Sequence, residues 1–105
     1  MSGEIVVLVT CPAEHSEKLA STLVEEHLAA CVNIVQSVKS IYFWDGKVCN
    51  DSEDLLVVKS RRSAWDQLRE RVKQLHSYEV PEIVCFPLED GYQPYMEWLN
   101  KAVTR

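Results

Sequence analysis

Residues 31–44 read Cys-Val-Asn-Ile-Val-Gln-Ser-Val-Lys-Ser-Ile-Tyr-Phe-Trp, and Asp45-Gly46 follows them. β-Branched and aromatic side chains run through this stretch, and Asp-Gly is among the strongest short-range hairpin signals. A single strand of this length reaches about 46 Å at roughly 3.3 Å per residue. A domain of 105 residues has a radius of gyration near 13 Å, hence a diameter of about 33 Å. The strand outgrows its own domain. Either it bends at the polar patch Gln36–Ser40, or its outer half leaves to pair with another subunit. We expect both, and the second makes the protein an oligomer.

The rest of the chain supplies elements that fit around this ribbon. Glu4–Thr10 is an apolar run suited to a strand covered on both faces, and Cys11-Pro12 stops it. From Ala13 to Leu28 the residues Leu19, Ala20, Leu23, Val24 and Leu28 form one helical stripe. A return strand begins at Lys47-Val48-Cys49, is expected to break at Asn50–Asp54 as a bulge or exposed rim, and resumes at Leu55–Lys59. Ser63-Ala64-Trp65-Asp66 reads as a capping-box-like start of a second helix, with Trp65, Leu68, Val72 and Leu75 on its apolar face. Pro81 keeps Val80 out of helix, Ile83–Phe86 is a short strand, and Tyr95, Trp98, Leu99 and Ala102 give a last helix its apolar side. The order β-α-β-β-α-β plus a C-terminal helix predicts an α+β fold. It is the ferredoxin-like split sandwich, a single domain over 1–105 with two helices on one face of an antiparallel sheet. The other sheet face is left bare, and a partner is expected to cover it.

Composition narrows the function classes. A formal net charge of −5 argues against a nucleic-acid binder, and no apolar run reaches the length of a membrane span. Met1-Ser2-Gly3-Glu4 lacks the basic and apolar regions of a leader peptide, which predicts a cytoplasmic protein. Cys11, Cys31, Cys49 and Cys85 make no C-x-x-C pair, and all four are read as reduced.

Four blocks carry a resemblance: Val9-Thr10-Cys11-Pro12, Leu28-Ala29-Ala30-Cys31-Val32-Asn33, Ser40-Ile41-Tyr42-Phe43-Trp44-Asp45-Gly46-Lys47 and His76-Ser77-Tyr78-Glu79-Val80-Pro81-Glu82. Together they resemble the CutA divalent-cation-tolerance family, in order and over essentially the whole chain, and the animal members more than the bacterial ones. The resemblance implies a homotrimer whose long hairpins extend sheets across subunit boundaries. It implies an association with copper and other divalent cations and, for some animal members, a role in acetylcholinesterase processing or anchoring. One departure counts against a strong copper site. The positions where bacterial members coordinate copper fall on Val9, Leu75 and His76, of which only His76 keeps a ligating side chain.

His76 is the best metal candidate, since it ends a predicted helix with Glu79 and Glu82 close by, and Cys11 is a further contributor if the site is shared between subunits. The bland alternative is a histidine placed against a helix C-terminus. Tyr42, Trp44, Lys59, Tyr78 and Glu82 are expected to line a cleft for a small anion or nucleotide-like ligand. The bland alternative there is interface packing plus a Lys59–Glu82 ion pair. Enzyme readings find no support: G-x-S-x-G, P-loop and H-E-x-x-H motifs are absent. Acylphosphatase chemistry needs an arginine after the first strand, where this chain has Thr10-Cys11-Pro12-Ala13. An RNA-recognition module needs stacking aromatics and a basic surface. The expectation is a non-catalytic trimer binding divalent metal weakly near His76. A trimeric small-ligand sensor using an intersubunit cleft, or a protein-interaction scaffold, is the alternative.

Overall fold

A computed structural model describes residues 3–105; Met1 and Ser2, half of the tetrapeptide read above for a leader, lie outside the described residues. The elements run β1 (Glu4–Cys11), α1 (Ala13–Glu25), β2 (Cys31–Trp44), β3 (Lys47–Arg61), α2 (Trp65–Leu75), β4 (Ile83–Pro87) and α3 (Gln93–Ala102). The sheet order is β2-β3-β1-β4 with every neighbouring pair antiparallel, which is the split sandwich expected from the element order.

Strand alternation sorts the sheet into two faces. Ile5, Val7, Val9 and Cys11 of β1 and Leu56 and Val58 of β3 are buried against Leu19, Leu23, Leu68 and Val72 of α1 and α2. The opposite face carries Val6, Leu8, Leu55, Val57, Val84 and Phe86, and here Val84 and Phe86 are exposed. α3 sits at one end through Leu99 and Val103, which are buried with Ala30 and Ala64. Tyr95 and Trp98, assigned above to its apolar side, are instead exposed at 39% and 47%, and Met96 takes the inward position. A helix stripe read from sequence does not distinguish a surface toward its own core from one toward a partner.

The ribbon spans 14 residues in β2 and 15 in β3, and it stretches the molecule to 44 × 25 × 23 Å. Its turn uses Asp45 and Gly46 with φ of 52° and 78°, the left-handed pair that a two-residue hairpin of this type requires. The irregularity lies on β2 and not on β3. Val35 pairs with Leu55 and Val38 with Glu53, so one extra residue sits in β2 with Ser37 at φ 57°. The expected break at Asn50–Asp54 is absent, because Asp54 is the residue that accommodates the bulge. One of its carboxylate oxygens accepts the Ser37 backbone N–H at 3.1 Å and the other accepts the Ser16 hydroxyl at 2.7 Å. The capping box at Ser63 is not formed either. Residues 62–64 make a short 3₁₀ turn, α2 starts at Trp65, and the Ser63 hydroxyl donates to the Arg105 carbonyl.

Candidate functional site

Where the ribbon leaves the domain, it faces the loop that joins α2 to β4, and between them lies a cleft of about 780 Å³. The ribbon lines it from Lys39 to Trp44, and the bulge sets which of these side chains share a face with the acidic residues of β3. By shifting register one residue, it places Val38, Ser40, Tyr42 and Trp44 on the same side of the ribbon as Glu53 and Asp51. Thr10 closes the cleft from β1, and Tyr78, Glu79, Val80 and Glu82 close it from the loop.

His76 fixes that loop. It ends α2 with an extended backbone at φ −76° and ψ 143°. Its Nε2 donates to the Thr10 carbonyl at 2.7 Å, and its Nδ1 accepts the Tyr78 backbone N–H at 3.0 Å. A carbonyl oxygen only accepts, so Nε2 carries the hydrogen and Nδ1 the lone pair. The His76 and Tyr78 rings lie 4.7 Å apart. Both ring nitrogens are thus spent on positioning Tyr78, whose hydroxyl donates to Glu53 Oε2 at 2.9 Å. Across the cleft, the Tyr42 hydroxyl donates to Asp51. Glu53 is only 6% exposed, and among the described residues no basic side chain forms an ion pair with it.

These contacts leave both phenols hard to ionise. Burial first, then the hydrogen bond to Glu53, pushes the Tyr78 hydroxyl up to about 12, and the hydrogen bond to Asp51 pushes Tyr42 up to about 12. A raised folded-state value means that the unfolded chain loses these protons first. Stability is therefore intact below pH 10 and falls as pH rises from about 10 to about 12. Absorbance titration at 295 nm is expected to show a late phenolate step near pH 12 that loses one tyrosine's amplitude in Tyr78→Phe.

The residues singled out by sequence separate here. Tyr42, Trp44, Tyr78 and Glu82 do line one cleft. Lys59 does not: it lies in the middle of the sheet, opposite Val6 and Cys31, where its ammonium donates to Asn33, so the Lys59–Glu82 ion pair is not made. Among the described residues, the one lysine that lines the cleft is Lys39. Cys11 faces away from the cleft, because Thr10 and Cys11 alternate across β1, and it is buried beside Asp54. Burial, then the nearby carboxylates Asp54, Glu53 and Glu14, pushes its thiol up to about 11, the reverse of a thiolate ligand. His76, Glu82 and Cys11 are therefore not assembled into one ligand set, and among the described residues no group of three or more His, Cys, Asp or Glu is arranged to hold a metal ion. Sequence reasoning missed Glu53. It sat inside the polar run taken for a rim, and only the register with Val38 reveals that it turns into the cleft.

A split β-α-β sandwich with an over-long ribbon and a ligand-sized cleft at the ribbon's root defines a narrow class of ferredoxin-like proteins. Residues 5–102 match the family described as CutA1 divalent ion tolerance protein. The chain is 52% identical over 99 residues to the divalent-cation tolerance protein CutA of Thermus thermophilus, covering 93% of this chain and 96% of that one. It is 42% identical over 95 residues to human protein CutA. The solved structure of CutA1 from Oryza sativa superposes with a TM-score of 0.96 at 45% identity, covering 99% of this chain and 96% of that one. The T. thermophilus structure does so with a TM-score of 0.93 at 50% identity, covering 95% and 98%. The chain spans just over half the length of the curated plant and human relatives, 56% of the rice protein and 53% of the human one. This chain belongs to the CutA1 divalent ion tolerance family.

Proposed function

We propose that the protein serves divalent-ion tolerance without catalysis, as a homotrimer whose ribbons complete their neighbours' sheets. The observation that carries this is the ribbon. It makes the subunit 44 Å long in one direction and about 24 Å in the others, and it leaves Ile41, Phe43, Trp44 and Val48 more than half exposed. Apolar side chains in that number on an edge ribbon call for a covering partner. A neighbour's sheet edge supplies one, and the bare sheet face with Val84 and Phe86 supplies the matching surface. The four cysteines are all free, which fits a reducing compartment such as the cytoplasm.

Copper or another divalent cation is then held weakly at the rim formed by Glu79 and Glu82 beside His76, with no part for Cys11. Titration of Cu(II) into the wild type and into His76→Ala tests this. Binding is expected to fall in the variant, because the loop that carries both carboxylates loses its tethers to the Thr10 carbonyl and to the Tyr78 backbone N–H. Equal binding by both would remove the His76 loop from ion handling.

The cleft favours a second reading, in which the trimer senses a small ligand at the ribbon's root. Its volume falls in the range of small-molecule sites, and aromatic walls with a few polar groups are their usual lining.

A further inference from the structure

Resting on that second reading, we infer that the cleft takes a small organic ammonium ion, with Glu53 as the counter-charge and the rings of Tyr42, Trp44 and Tyr78 as the wall. Charge decides the sign of the ligand. Glu53, Glu79 and Glu82 face the cleft against the single ammonium of Lys39, and Lys59, the cation that would have favoured an anion, lies elsewhere. A phosphate or nucleotide would enter against three carboxylates.

The nature of the cation follows from the walls. A metal ion needs oxygen or nitrogen atoms converging at short range, and no such group of three exists among the described residues. The phenol hydroxyls are already committed to Asp51 and Glu53, so Tyr42 and Tyr78 offer ring surface more than oxygen ligands. Aromatic faces attract a weakly hydrated alkylammonium far better than a strongly hydrated inorganic ion. Glu53 completes the arrangement: its carboxyl group is 6% exposed, accepts one hydrogen bond from Tyr78 and, among the described residues, has no ion-pair partner. An alkylammonium supplies the missing positive charge without needing a coordination shell.

The test is calorimetric titration of the purified oligomer with tetramethylammonium chloride, at ionic strength matched by sodium chloride. The same titrations with Cu(II), sulfate and ATP provide the comparison. A saturable signal with tetramethylammonium is expected. Glu53→Gln keeps an acceptor for the Tyr78 hydroxyl but loses the charge, and is expected to weaken binding about ten-fold. Trp44→Leu, at a position 56% exposed, provides an independent variant. It is expected to weaken binding roughly five-fold. Saturation by tetramethylammonium that is unchanged in both variants overturns the assignment. Saturation by ATP or sulfate alone overturns the ammonium ligand while keeping the cleft as a sensor site. No response to any of these, or to Cu(II) alone, overturns the sensor reading together with it.

Discussion

Asp54→Ala is expected to destabilise the fold by about 2 kcal/mol, and Asp54→Asn by less than about 1 kcal/mol. Asp54 is 3% exposed, yet no basic side chain pairs with it among the described residues. Its worth lies in two charge-assisted hydrogen bonds, from the Ser37 N–H and the Ser16 hydroxyl, each contributing about 1.5–3 kcal/mol. Releasing a buried anion that no cation neutralises offsets part of that sum. Asparagine keeps an acceptor for Ser37. It presents N–H donors toward Ser16, whose own hydroxyl proton has the Ala13 carbonyl at 3.0 Å as a second acceptor. Denaturant midpoints at one fixed protomer concentration measure both variants, since association adds to apparent stability. An alanine variant as stable as the wild type would mean that the bulge holds itself.

More than stability rides on this residue. A bulge that slips by one position turns every side chain beyond it to the opposite face of the ribbon. Tyr42 and Trp44 would turn away from the side that carries Glu53 and Asp51, and Ile41 and Phe43 would take their place on it. The alanine variant is therefore expected to lose the Tyr42–Asp51 hydrogen bond as well.

The same detail marks how far the sequence could be read. The strand limits 31–44, the Asp45-Gly46 turn and the helix-facing stripes of α1 and α2 were legible, because burial against the chain's own core imposes strict periods of 2 and 3.6. The bend expected at Gln36–Ser40 was legible as well, since the extra residue lies between Val35 and Val38 with Ser37 at φ 57°; the strand opposite it was not. Asn50–Asp54 looked like a break because five polar residues rarely sit in a strand, but two of them, Glu53 and Asp54, are buried on opposite faces with specific donors. Polar burial of that kind depends on long-range partners 17 and 38 positions away, which no local pattern encodes. Tyr42, Trp44 and Tyr78 line one cleft. Lys59 was misplaced, because its pairing with Val6 of β1 and Cys31 of β2 sets it in the middle of the sheet, away from the ribbon's root, and strand-to-strand register is not written in either strand alone. Cys11 was offered as a ligand on sequence position alone, and strand alternation turned it into the core.

The double substitution Phe43→Lys with Val48→Glu is expected to convert the proposed trimer into a folded 12.1 kDa subunit. Phe43 and Val48 are direct cross-strand partners next to the turn, 72% and 70% exposed in the single chain. They contribute nothing to the subunit's own core, so replacing them leaves its folding free energy within about 1 kcal/mol. The new pair also retains a favourable cross-strand contact, since opposite charges replace apolar groups directly facing each other. Burying those charges against a neighbour's apolar surface is another matter, costing several kcal/mol per unpaired ion. Light scattering should then give one third of the wild-type mass, with the far-ultraviolet circular dichroism of α1 and α2 retained. Retention of the full wild-type mass would place the ribbon tips outside the contact between subunits, and the covering partner for the ribbon would have to be sought in another protein.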